Sequence, residues 1–293
     1  MIHAASSASR AATVPFPSPS IDASFRPARA LLGWMTAEEA HEALAMGHDA
    51  GVTATMTERA AKSRSAVTLR RLYRITTAVT APPTGVGDHL SRFRTAFGDL
   101  FNEGWRLATI DLRQVVALQP RTFADHYAEQ TFGLASSDIG KIIRLTLPLP
   151  VEAPPLVQHP SDSVWLVSSN DPHFHIAEAA HDPAEGVLGF RLGRATSVMR
   201  VAELDGRLIC QDGHHRALQL LRRSIALVPA LLKSFSSFPE IAVAPGLFSE
   251  EVCMGDRPPT LADLLDNEVA ADVLAPATRK FLLIEAREFV LPV

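Results

Sequence analysis

Residues 203 to 232, ELDGRLICQDGHHRALQLLRRSIALVPALL, set Asp212, Gly213, His214, His215 and Arg216 in succession just ahead of an apolar helical pattern. Two imidazoles and a guanidinium in a first helical turn run against the macrodipole, which favours acids there, so they ask for an anionic partner. The first N–H groups of a helix lack intrahelical acceptors and sit at the positive end of that dipole. Beside Arg216 they form a receptor for phosphate or carboxylate. Arg216 offers planar, charge-assisted contacts to phosphate oxygens, and His214 or His215 offers a hydrogen bond to a terminal phosphate or a proton relay near neutral pH. Asp212 is the first candidate for base or metal ligand, and it also reads as a plain N-cap. A structural reading stands beside this one: Asp212 caps, His214 packs with Ala217, Leu218 and Leu221, and Arg216 pairs with a surface carboxylate.

The elements that must position these groups are legible nearby. Ser197 to Leu204 and Arg207 to Gln211 read as strands joined by Asp205-Gly206, the dipeptide that supplies positive φ at a tight hairpin tip. Gly213 lets the backbone turn, the helix starts near His214, and Ile225 to Leu232, interrupted by Pro229, reads as an edge-like return strand. Upstream, Thr36 and Glu39 have capping-box spacing before AEEAHEALAMGH, in a helix expected to run irregularly toward Arg74. Asp88 caps a second helix in which Leu90, Phe93, Phe97, Leu100 and Phe101 pack on the core, with Gly104 as the stop. Trp105 to Leu118, Ile142 to Leu149 and Val164 to Ser168 are strand candidates. Beyond residue 235 an irregular segment leads to a short helix opened by Thr260 and Asp263, then to a terminal strand in KFLLIEAREFVLPV.

The order strand, Asp-Gly, strand, DGHHR, helix, Ile-x-x-Val-Pro resembles the core of the ParB/sulfiredoxin-like superfamily, whose loop and helix start hold nucleotide phosphates. Asp212 to Arg216 are nearest in type to the Asp-Gly-His-Thr-Arg of free-serine kinases and the Gly-Cys-His-Arg of sulfiredoxin. A second match lies in WRLATIDLRQVVALQPRTF, similar to the ParB-like opening in which a strand leads into Gln-Pro-Arg, here Gln119, Pro120 and Arg121. The resemblance covers roughly residues 105 to 235. It implies an α+β fold with a mixed sheet and packed helices, and a nucleoside triphosphate, ATP or CTP, bound with Mg²⁺. The implied cofactor contacts are Gly213, His214, His215, Arg216 and Arg121; the implied catalytic groups are His214, His215 and Asp212. The expected activity is that of a kinase or nucleotide hydrolase acting on a small molecule. A non-catalytic anion-binding or interaction module stays open, as does a ParB-like DNA-binding protein or nuclease. Two departures bear on transfer of function. There is no Glu-Arg-Arg box of the partition type, and His214 occupies the place of the sulfiredoxin cysteine, with Cys210 lying before Asp212.

Composition sets outer limits. A chain of 293 residues with 47% hydrophobic content buries a substantial core. The expected organisation is a disordered tail over 1–33 and a helical N-terminal extension over 34–104. A ParB/sulfiredoxin-like domain over 105–235 follows, with an insertion near 130–185, and then a helix-strand extension over 236–293 packed on the core. The net charge of -4 gives no global attraction to nucleic acid, and Lys62, Arg64, Arg70, Arg71 and Arg74 read as a solvated helix face or a local nucleic-acid patch. Two cysteines, Cys210 and Cys253, indicate neither a disulfide framework nor a cysteine zinc site, which fits a reducing cytoplasm. No apolar run approaches the roughly 20 residues of a membrane span. His173, His175, Glu178 and His181 have period-2 spacing compatible with a metal site, though equally with a polar loop, and no metal is assigned to them.

Overall fold

The computed structural model describes residues 25–46, 53–74, 79–81, 87–150, 156–161, 164–169, 174–182, 187–194, 196–241, 244–277 and 280–285. In chain order its elements are β1 (Phe25–Ala30), α1 (Ala37–Ala45), α2 (Ala54–Leu69), β2 (Val79–Thr80), α3 (Gly87–Ala96), α4 (Gly98–Asn102), β3 (Arg106–Asp111), β4 (Val116–Ala117), β5 (Arg121–Phe123), α5 (Ile139–Thr146), β6 (Leu156–Ser161), β7 (Val164–Ser169), β8 (Phe174–Asp182), β9 (Val187–Arg194), β10 (Arg200–Leu204), β11 (Arg207–Asp212), α6 (His214–Arg222), β12 (Leu227–Ser234), α7 (Glu250–Met254), β13 (Ala271–Pro276) and β14 (Lys280–Glu285). The protein is α+β.

A six-stranded mixed sheet in the order β2-β3-β12-β10-β11-β4 carries the site. The return strand β12 lies inside this sheet, antiparallel to β3 and parallel to β10, and not at an edge as Pro229 suggests. Val228 to Leu232 are all buried, the unbroken apolar run expected of a strand covered on both faces. Proline is tolerated there because residue 229 pairs only with Thr109 of β3, while the pairing with β10 begins two residues later at Leu231. A missing N–H therefore breaks no ladder on the β10 side.

Three expectations about boundaries are corrected. First, residues 25–33 are not tail: β1 is paired on one side with β13 and on the other with β5, and Ala28, Ala30, Leu31 and Leu32 are core. Residues 1–24 lie outside the described residues. The sheet β13-β1-β5 thus draws its strands from the chain's beginning, middle and end. Second, Ile142 to Leu149 forms no strand. Ile139–Thr146 is the helix α5, with Ile142, Ile143 and Thr146 on its buried side. Spacing of three and four outweighs the β-branched composition here. Third, α1 ends at Ala45 and α2 starts at Ala54 behind a Thr53 cap, so the N-terminal helical stretch is two helices.

Other elements fall near where the sequence puts them, with the expected second helix divided at Phe97 into α3 and α4 and the Trp105–Leu118 strand region divided into β3 and β4. Thr36 and Glu39 make both bonds of a capping box, as do Thr260 and Asp263. Phe93 is fully buried in a second apolar cluster with Trp105, Leu107, Leu147, Val198 and Leu231, flanked by Leu90, Phe97, Leu100 and Phe101. Asp88 lies inside the first turn of α3 instead of capping it. The 130–185 region holds α5, the antiparallel pair β6 and β7, and β8, which pairs with β9. The chain's last described strand, β14, joins β7. His175, Glu178 and His181 fall on β8, and His173 lies outside the described residues. Among the described residues no three His, Cys, Asp or Glu side chains are grouped to hold a metal ion, and no helix is long and apolar enough to cross a membrane.

The C-terminal segment is tied to the core through β4. Ala117 N–H bonds the Pro259 carbonyl, Leu261 N–H the Val115 carbonyl, and Phe248 N–H the Leu118 carbonyl. Three arginines fasten the loop that follows. Arg29 donates to the Leu264 carbonyl and to Asn267 Oδ1, Arg70 pairs with Asp263 and Asp266, and Arg59 donates to the Ala270 carbonyl. Arg70 of the expected basic face is therefore committed to ion pairs with the C-terminal segment.

Candidate functional site

The β10–β11 hairpin turns through Asp205 and Gly206, with φ of 49° and 76°, both positive as a tight type I′ tip requires. Strand β11 then runs to Asp212, and Gly213 is the N-cap of α6 with φ of 108°. A Cβ at Gly213 would stand 3.0 Å from Met199 Cε and 3.2 Å from its Cγ. Both the backbone angle and the neighbour exclude a side chain. Gly213→Ala is expected to cost about 1–3 kcal/mol through positive φ and the Met199 contact, read as a lower urea midpoint with an unchanged slope. A wild-type midpoint would contradict this account of the turn.

Asp212 does not cap the helix. Strand pairing extends to Arg200 opposite Asp212, and the Asp212 carboxylate accepts from Ser197 Oγ at 3.0 and 2.9 Å. It also lies 3.7 Å from the Arg200 guanidinium. Ala217 N–H makes a helical bond to the Gly213 carbonyl at 2.9 Å, and no side chain caps the N–H groups ahead of it. The start of α6 thus carries no side-chain acceptor for its first N–H groups.

His214 has a different task from the one its type suggests. It is 1% exposed, and its Nε2 accepts from the backbone N–H of Leu118 at 3.0 Å and of Gln119 at 3.2 Å. An accepting Nε2 leaves the ring hydrogen on Nδ1, which lies 3.6 Å from Cys210 Sγ. Burial pushes the imidazole pKa down to about 3, with His215 adding to the effect. His214 is therefore neutral at physiological pH, and neither a phosphate-facing cation nor a proton relay there. It fastens the segment after β4 to the start of α6.

His215 does the same for β5. Its Nδ1 accepts from Phe123 N–H at 3.1 Å, and burial first, then the neighbouring His126, holds its pKa down to about 4. Its ring stacks on Phe123 with centroids 5.5 Å apart and on His126 at 5.0 Å. The column continues through Tyr127, 4.4 Å from His126, and ends in arginines: Arg26 lies over Phe123 and Arg216 over Tyr127, each 4.6 Å from the ring centroid. Tyr127 holds a φ of 64°, an uncommon angle for an aromatic residue and one that tends to concentrate at functional positions.

Arg216 is 3% exposed. Its Nη1 donates to Ser197 Oγ at 3.1 Å, and its Nη2 donates to the Ser197 carbonyl at 2.6 Å and to Tyr127 Oη at 2.7 Å. All of these partners are neutral, and its buried Nε–H has no hydrogen-bond partner among the described residues. Arg200 Nε is buried and unpartnered in the same way. Arg200 thus pairs with Asp212 directly, and Arg216 is linked to it through the Ser197 hydroxyl. Arg121 is not brought to this cluster: it lies 3.8 Å from Glu42 of α1. The upstream segment does meet the loop, but through the N–H groups of Leu118, Gln119 and Phe123. Ser197, Arg200 and Tyr127 join the site unannounced by the sequence.

Comparison with family models, with curated proteins and with solved structures finds no match to the chain.

Proposed function

We propose that the chain binds a phosphate-bearing small molecule at the start of α6, and that this ligand is a nucleoside triphosphate taken with Mg²⁺, as the resemblance to the ParB/sulfiredoxin-like superfamily suggests. The observation that carries the reading is Arg216, a guanidinium with 3% exposure and only neutral partners among the described residues. Burying an unpaired charge is expensive, and chains retain such a group where an opposite charge arrives from outside. The uncapped N–H groups of α6 add to the attraction. Gly213, with its positive φ and Met199 packed against it, sets the turn that presents the start of α6. Arg216 is the main anion contact, and His215, accepting at Nδ1, keeps its hydrogen on Nε2 as a neutral donor.

Phosphoryl transfer, in this reading, has Asp212 as its base, because His214 is neutral with both nitrogens engaged. A module that binds without turnover is the second reading. It is favoured by the commitment of both histidines to backbone N–H groups.

The test is thermal unfolding and calorimetry with ATP, ADP, CTP and inorganic phosphate, each with Mg²⁺. A ligand at about 100 times its Kd stabilises by about 2.7 kcal/mol, a shift of several degrees for a chain of this size. No shift and no heat with any of them defeats the proposal. Binding without phosphate release or transfer selects the second reading.

A further inference from the structure

Between Asp212 and Arg216 stands the hydroxyl of Ser197. A direct carboxylate–guanidinium pair would neutralise both charges, yet Ser197 Oγ is interposed, 2.9 Å from Asp212 Oδ2 and 3.1 Å from Arg216 Nη1. A serine hydroxyl has one hydrogen and two lone pairs. Here the hydrogen is directed to Asp212 and one lone pair accepts from Arg216, so the second lone pair has no partner among the described residues. Ser197 is half-buried, open enough to meet a ligand at the start of α6.

We propose that Ser197 is a nucleophile that takes the terminal phosphoryl group of the nucleoside triphosphate bound beside it, forming a phosphoserine on the chain. The proposal rests on the reading of this site as a nucleotide site. Ser197 Oγ forms a bond to the γ-phosphorus as the bond from that phosphorus to the β–γ bridging oxygen breaks. The hydroxyl proton passes to the Asp212 carboxylate, and the nucleoside diphosphate leaves with the bonding pair. Arg216 Nη1, already on Oγ, stabilises the negative charge that develops on the transferred group. The nucleophile thereby touches both its base and a cation, which is the arrangement an activated hydroxyl needs.

The full-length protein is incubated with ATP, ADP or CTP and Mg²⁺, quenched in acid from the first turnover onward, and mapped by peptide mass spectrometry, with binding followed in parallel by melting temperature. The expected result is phosphoserine at Ser197 with ATP or CTP and not with ADP. Asp212→Asn should slow its appearance by about 100-fold or more, the range of a lost general base. Mapping the unaltered protein needs no variant, so a poorly folded Ser197→Ala does not block the test. Ligand-dependent stabilisation with no phosphate on Ser197 overturns this inference alone. So do labelling confined to another residue and phosphate release that persists in a folded Ser197→Ala. Absence of any ligand-dependent stabilisation overturns the nucleotide reading, and this inference with it.

Discussion

Acidification below about pH 6.5 is expected to destabilise this protein far more steeply than its carboxylates alone would do. His214 and His215 both fold with pKa values below the ordinary 6.5, at about 3 and about 4. Above pH 6.5 both states hold these rings neutral, and they add no pH dependence. Below it, the unfolded chain takes up protons that the folded chain refuses, so stability falls with decreasing pH. The loss continues to about pH 4 for His215 and about pH 3 for His214. At about pH 5 each ring accounts for about 2 kcal/mol, from about 1.4 kcal/mol per tenfold difference in proton affinity. Two such rings remove about 4 kcal/mol, a large part of the roughly 5–15 kcal/mol that holds a domain folded.

The window separates this effect from the acids. Asp111, Asp125 and Asp266 have folded pKa values below the ordinary 3.8, so the stability they confer is present above that value and is lost below it. Urea midpoints between pH 7 and about 5 thus report the histidines, with a slope approaching two protons taken up on unfolding. Glutamine keeps an acceptor at the reach of Nε2, and asparagine keeps one at Nδ1. His214→Gln should therefore remain folded at neutral pH and lose one proton from the slope, and His215→Asn should do likewise. His214→Ala strands the N–H groups of Leu118 and Gln119, at about 1–3 kcal/mol each. An unchanged slope in both conservative variants would remove the neutral-staple account of DGHHR.

The staples explain what in this site was legible. Asp205-Gly206, the start of α6 at His214 and the bare turn at Gly213 follow from local chemistry, and each stands where the residues place it. The partners of the histidines are about ninety residues upstream, and no local pattern reports which polar atom a buried ring will meet. Arg200 shows a finer limit. Counting back from the hairpin tip sets it opposite Gln211, but a register shift between Arg200 and Val201 sets it opposite Asp212. That one-residue irregularity gives Asp212 its ion-pair partner. Arg121 shows the converse, a recognisable tripeptide whose charge goes to a different neighbour, Glu42, because β5 is held between β1 and α6. Pro229 and the Ile142–Ile143 pair misled for one reason: residue preference was read without the sheet or the helix face that overrides it.

Arg216→Met is expected to separate binding from stability in opposite directions. Methionine nearly fills the space of the guanidinium stem, and it removes a 3%-exposed charge that has no carboxylate in ion-pair range among the described residues. Replacing a buried ionic group by an apolar one of similar volume is neutral or stabilising by about 1–4 kcal/mol in known cases. Against this stand the lost bonds to Ser197 and Tyr127. Ser197 Oγ retains Asp212. The apoprotein should therefore melt at or above the wild-type temperature, while affinity for the phosphate-bearing ligand falls by about 100-fold, as for the loss of a charge-assisted contact worth about 3 kcal/mol. Arg216→Lys keeps the charge but not the fork that spans Ser197 and Tyr127, and should recover only part of the affinity. A purely structural Arg216 predicts the reverse pattern, a melting temperature lowered by several degrees and a ligand response, if any, left as it was. Stability and affinity moving apart is what a cation retained for a visiting anion requires, because the cost of burying it is met only when the ligand is bound.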